Sequence, residues 1–180
     1  MHKNNNCFRT TIRRLICGFC LLLSAIALGT SCSVRGTERL AKGQPVTDSI
    51  VNDDLHYYTV GLEKGQYLAL TIDQHDVDVI AKVFAPNGDL IGEFDTPTSG
   101  RGTETVRIGA ETAGEYRVEI YTLSARAEPG DYTIKMVDFH PMTERDRRIL
   151  SAVNLHLEAD RLRANADTRP ACLPVYEKAL

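Results

Sequence analysis

Gly114-Glu115-Tyr116-Arg117-Val118-Glu119-Ile120 and Gly130-Asp131-Tyr132-Thr133-Ile134-Lys135-Met136 open alike. Each runs Gly, acid, Tyr, and then sets apolar residues at every second position. That period marks a strand with one buried face; the glycine frees the turn before it, and each Tyr starts the inward row. The same alternation extends towards the N-terminus. His56–Leu62 places Tyr58, Val60 and Leu62 on one face, and Tyr67–Asp73 turns Leu68, Leu70 and Ile72 inward. Val77–Ala85 is apolar on both faces and reads as a central, covered strand. Pro86-Asn87-Gly88-Asp89 is a turn, with Pro at its second position and Asn-Gly tolerant of positive φ, and Leu90–Asp95 is the hairpin partner. Pro97–Gly102 is a polar loop, Thr105–Ala110 a further strand and Pro45–Val51 a weak edge candidate. About eight short strands must each bury one face against a second sheet, so the expected fold is mainly β. The architecture predicted for residues 44–140 is an antiparallel, jelly-roll-like β-sandwich.

The succession of motifs is also a resemblance. Tyr58-x-Val60-x-Leu62, Gly65-Gln66-Tyr67-Leu68, an Asp before the central strand, Pro86-Asn87-Gly88, Ala113-Gly114-Glu115-Tyr116 and Gly130-Asp131-Tyr132-Thr133-Ile134 follow in order. This order resembles the bacterial pre-peptidase C-terminal domain, a β-sandwich found on secreted proteins. The resemblance covers residues 44 to about 139. It implies an accessory module, associated in that family with secretion, with polymer binding and, in some relatives, with calcium.

Ahead of the strands, Arg9, Arg13 and Arg14 precede the apolar run Leu15–Leu28, which is followed by Gly29, Thr30, Ser31 and Cys32. A basic start, an apolar run short of the roughly 20 residues that span a bilayer, and small residues after it predict a signal helix within a signal peptide over 1–31. Three outcomes stay open. Cys32 resembles the acylated cysteine of a bacterial lipoprotein, although Gly29 stands where a Leu-like residue is usual. Ordinary cleavage can fall after Ser31 or Ala27, and the segment can remain as an uncleaved anchor. Each outcome places the remainder outside the cytoplasm, in the cell envelope or beyond it. Residues 32–43 read as a linker. Of 21 basic residues, four lie within residues 1–31, together with none of the 24 acidic ones, so the rest of the chain is acidic. Without a basic cluster, nucleic acid is not an expected partner.

After the strands, residues 141–180 predict a helical hairpin. Thr143-Glu144-Arg145-Asp146 has the form of a capping box, and Ile149, Leu150, Val153 and Leu157 recur at helical spacing. Asn165–Pro170 breaks the helix, and Thr168 or Asp167 can cap the next. Cys172, Tyr176 and Ala179, at i, i+4 and i+7, resemble the packing face of a tetratricopeptide repeat, which implies an incomplete repeat. A sandwich followed by such a helix start resembles the N-terminal part of exported proteins with tetratricopeptide repeats and a CHAT peptidase domain. That resemblance implies an accessory region, and the peptidase lies outside this sequence.

Three sets of residues are candidates for function. Asp73, Asp76 and Asp78 are hard oxygen ligands at close spacing and suit calcium, although the helix-loop-helix pattern of Gly and distal Glu is missing. The structural alternative is a turn held by its own Asp side chains. Tyr57, Tyr67 and Tyr121 fall on outward positions, as a binding surface or as cross-strand packing. His56, His140 and His156 are scattered, and Ser99 lies outside a nucleophile elbow. The expectation is therefore a binding or scaffold module without enzymatic activity, engaging a protein of the cell envelope. The alternatives are the accessory part of a CHAT-type peptidase and a carbohydrate-binding sandwich.

Overall fold

The computed structural model describes residues 36–51, 54–96, 100–122 and 129–179. The predicted signal peptide, with Cys32, lies outside them, as does Ser99. The described strands are β1 (Glu38–Arg39), β2 (Val46–Ile50), β3 (Leu55–Leu62), β4 (Gln66–His75), β5 (Val79–Phe84), β6 (Leu90–Phe94), β7 (Arg101–Gly109), β8 (Gly114–Thr122) and β9 (Gly130–Pro141). Helix α1 (Glu144–Ala164), a 3-10 turn (Arg169–Ala171) and α2 (Cys172–Ala179) follow. The strands form two sheets, ordered β1-β3-β8-β5-β6 and β2-β9-β4-β7. All pairings are antiparallel except β1 with β3. The predicted mainly-β sandwich with a two-helix C-terminal part is the fold observed.

Alternation builds the core. Tyr58, Val60 and Leu62 of β3 and Tyr116, Val118 and Ile120 of β8 meet Leu68, Leu70 and Ile72 of β4 and Tyr132 and Ile134 of β9 between the sheets. Both tyrosines of the paired Gly-acid-Tyr motifs are buried, Tyr116 at 1% exposure and Tyr132 at 0%. The Pro86 turn closes as its chemistry requires. The Gly88 N–H donates to Ala85 O, the Ala85 N–H to Asp89 O, and Gly88 takes φ +89°.

The sandwich begins earlier than residue 44. Glu38 and Arg39, expected within a linker, pair with Tyr58 and Thr59; the Leu40 N–H donates to Thr59 O at 2.9 Å, and Leu40 is buried. A two-residue strand carries no alternation for a sequence to display. β7 likewise starts at Arg101, because Arg101 and Gly102 pair with His75 and Gln74 rather than ending the loop.

α1 lies against the side of the sandwich where the edge strands β6 and β7 run. Leu157 joins the main core, while Leu150 and Met142 pack with Tyr67 and Ala69. Two glycines admit it. A Cβ on Gly92 of β6 would lie 2.6 Å from Leu157 Cδ1, and one on Gly109 of β7 would lie 2.4 Å from Met142 Cε and 2.9 Å from Leu150 Cδ1. The capping box forms: the Asp146 N–H donates to Thr143 Oγ1 at 3.3 Å and the Thr143 N–H to Asp146 Oδ2 at 2.7 Å. Neither Thr168 nor Asp167 caps the second helix. Thr168 Oγ1 donates back to Leu162 O at 2.9 Å, closing the end of α1 instead.

The expected repeat-like pairing takes a different form. Cys172 is buried, Tyr176 OH donates to Asp160 of α1, and Ala179 lines a groove with Ala152. α2 therefore runs back along α1. The Leu150–Leu157 face of α1, however, packs on the sandwich, and the described residues hold one helix pair rather than a repeat array.

Candidate binding surface

Register sets the outer face of the five-stranded sheet. Residues paired across neighbouring strands share a face, so Tyr57 of β3 aligns with Glu119 of β8 and Lys82 of β5. Leu55 aligns with Tyr121, and Thr59 with Arg117 and Phe84. Neither helix covers these side chains. Arg117 spans the middle: its guanidinium carbon lies 4.6 Å from the Phe84 ring centroid and 6.0 Å from that of Tyr57, and its Nη2 pairs with Glu119 at 2.9 Å. Lys82 Nζ stands 4.6 Å from the Tyr121 ring centroid and 3.2 Å from Glu93 Oε2. Its contacts with the Tyr121 side chain and then Glu93 hold the lysine pKa above its ordinary value, while burial raises that of Tyr121. Cations over aromatic faces, each also held by a carboxylate, make a lattice with few free rotamers.

The third tyrosine of the expected surface is elsewhere. Tyr67 belongs to β4 in the other sheet and points outward, but Met142 and Leu150 cover it to 3% exposure. Burial raises its phenol pKa. Tyr67 is thus a seat for the helix, and the accessible surface keeps Tyr57 and Tyr121. Arg117, Phe84 and Lys82, which complete it, were not singled out from sequence. Their signal was there in the outward positions of β5 and β8, but only pairing joins them.

The three aspartates do not converge. Asp73 lies on the outer face of the four-stranded sheet, accepting from Thr103 Oγ1 at 2.7 Å with Lys135 Nζ at 3.5 Å. Asp76, at φ +62°, is exposed and pairs with Arg101 at 2.6 Å. Asp78 Oδ1 is buried with no hydrogen-bond partner among the described residues. Two of the three carboxylates are matched by separate cations, so they do not fit a calcium cage. Among the described residues, no group of three or more His, Cys, Asp or Glu could hold a metal.

Two polar clusters lie inside the sandwich. Tyr132 OH stands 2.7 Å from His56 Nδ1 and 2.6 Å from Tyr58 OH, and Asp48 Oδ2 lies 3.4 Å from His56 Nδ1. An Asp–His–hydroxyl chain has the elements of nucleophile activation, yet His56 is 3% exposed and Tyr132 fully buried, so no substrate reaches this hydroxyl. The second cluster centres on Glu104, which is fully buried. Gln74 Nε2 donates to its Oε1 at 2.8 Å and the Thr96 N–H to its Oε2 at 2.7 Å. Burial nevertheless keeps the Glu104 carboxyl above its ordinary pKa, with Asp95 adding to the shift. Two further histidines sit on α1 or beside it, His140 beside Tyr67 and Asp146, and His156 beside Tyr176 and Asp160.

No family model matches this chain, and no curated protein matches its sequence. Solved structures similar to it include the pre-peptidase C-terminal domain of a Bacillus anthracis collagenase, at 11% identity and a TM-score of 0.47, over 56% of this chain and 94% of that one. PliG of Aeromonas hydrophila, a periplasmic inhibitor of g-type lysozyme, is similar at 20% identity and 0.43, over 58% and 99%. The CBM51-2 and INT domains of ZmpB from Clostridium perfringens follow at 12% and 0.34, over 68% and 33%.

Proposed function

We propose that this protein is a non-catalytic binding module of the cell envelope that engages a protein partner through the outer face of its five-stranded sheet. The observation carrying this reading is the Tyr57–Arg117–Phe84 and Tyr121–Lys82 lattice on a face that neither helix covers. Tyr and Arg are the side chains most enriched at the energetic centres of protein interfaces, and rings and cations already held in place lose little entropy on docking. The same lattice favours protein over sugar. A sugar stacks on a free aromatic face, and here each tyrosine already has a cation over it. Export rests on the basic start and apolar run of residues 1–31, and tethering on acylation of Cys32. No described helix is long and apolar enough to cross a membrane.

The test compares the two sheet faces. Wild-type protein is expected to capture a cell-envelope protein that the Tyr57→Ala/Arg117→Ala variant fails to capture, while Thr133→Ala, on the opposite sheet, behaves as wild type. Loss of each interface anchor is expected to cost about 1–2 kcal/mol of affinity. Capture unaffected by the double variant would remove the sheet face from the reading. Glycan-array binding that Tyr57→Ala and Tyr121→Ala abolish would replace the protein partner with a carbohydrate. The intact mass of protein extracted from its native cells tests the tether, which requires acyl mass on Cys32.

A further inference from the structure

A groove of about 430 Å³ runs between α1, α2 and the ends of β6 and β7, meeting the sheet face only at Glu93, which also holds Lys82. Its floor is apolar, built from Phe94, Val153 and Leu157; its rim carries Glu93, Asp95 and Asp160. The rim charges are unequally satisfied. Glu93 is paired with Lys82, and Asp160 with Arg163 at 3.2 Å and His156 at 3.4 Å. Asp95 has no such ion pair among the described residues. Burial, followed by the like charges of Asp78, Glu93 and Asp160, holds its carboxyl above the ordinary range; Arg163 opposes them weakly. An exposed carboxylate without an ion pair beside an apolar floor is complementary to a ligand that brings a positive charge and an aliphatic body together.

We propose that this groove binds an extended peptide segment of a partner protein, in which a lysine or arginine meets Asp95 and a neighbouring aliphatic side chain fills the floor formed by Phe94, Val153 and Leu157. A small cation alone would leave the floor open, and an apolar peptide alone would leave the Asp95 carboxylate without a cation. The floor is fixed by the same contact that seats α1, since Leu157 both packs against Gly92 and lines the groove.

The probe is a short capped peptide of alternating leucine and lysine, titrated into the whole protein beside a counterpart with glutamate replacing lysine. The lysine peptide is expected to bind at least about tenfold more tightly, the size of effect that rim charge complementarity gives. It is expected to shift the ring NMR signals of His156 and Tyr176 and to leave those of Tyr57 and Tyr121 in place. Asp95→Lys is expected to abolish the preference. Asp95→Asn, which keeps the shape of the side chain, is expected to reduce it several-fold, and serves if the reversal disturbs folding. Equal affinity for both peptides, no binding of the lysine peptide, a preference unchanged in Asp95→Asn, or signals that move at Tyr57 and Tyr121 instead would each overturn the proposal. The last outcome would move the basic segment to the sheet face and leave the proposed function standing.

Discussion

Where β6 and β7 run, a helix covers the gap between the two sheets; where β1 and β2 run, side chains do. The first closure is apolar beneath the helix, where Leu157 enters the core over Gly92 and Leu150 and Met142 lie over Gly109, with the buried polar cluster of Glu104, Gln74 and the Thr96 N–H beside it. The second is polar, through the Asp48–His56–Tyr132–Tyr58 chain, which joins β2, β9 and β3. Apolar contacts tolerate small shifts, because burial is not directional. A buried chain of hydrogen bonds does not, because each unpaired group costs its full desolvation. The helical side is thus suited to present a groove, and the network side to fix which strands face each other.

Tyr132→Ala removes a fully buried ring together with the centre of the network, and is expected to cost about 3–5 kcal/mol in urea unfolding. Leu157→Ala is expected to cost about 2–3 kcal/mol while unfolding stays a single transition. If α1 were an appendage, helix signal would be lost first and the sandwich would keep its midpoint. Tyr132→Phe keeps the ring but leaves His56 Nδ1 and Tyr58 OH without its hydroxyl, at about 1–3 kcal/mol. A cost near zero would make the network ornamental and the two sides equivalent.

The smallest effect is in pH. The raised pKa of Glu104 means that the folded protein holds a proton that the unfolded chain releases earlier. Its contribution is complete below the ordinary glutamate value and is lost as pH rises through the folded value. Asp146 has the opposite sign: Thr143 lowers its pKa, so its contribution is present above the ordinary aspartate value and fades as pH falls. The difference in stability between wild type and Glu104→Gln, followed across the acidic range, is expected to shift against the wild type as pH rises. A flat difference would mean that Glu104 titrates as an ordinary carboxyl.

What sequence could show was local. The Gly-acid-Tyr strands, the Pro86-Asn87-Gly88 turn and the Thr143–Asp146 box are each closed by residues within a few positions of one another. Alternation placed Tyr57, Tyr67 and Tyr121 outward, but a period of two says nothing about which sheet a strand joins, so Tyr67 was grouped with two residues of the opposite layer. Spacing put Asp73, Asp76 and Asp78 together in the chain, whereas a strand face, a left-handed turn residue and a core-side position separate them in space. The face of α1 was legible, its destination was not. Gly92 and Gly109 explain it only once Leu157 and Leu150 are seen above them.

Between the end of β9 at Pro141 and the start of α1 at Glu144 stand only Met142 and Thr143. β9 is an inner strand, hydrogen-bonded on both sides to β2 and β4. A pull on the two residues between β9 and α1 is thus delivered to the middle of a sheet rather than to an edge. There β9 is paired on both flanks, so pulling it free breaks its ladder with β2 and its ladder with β4 rather than one ladder alone.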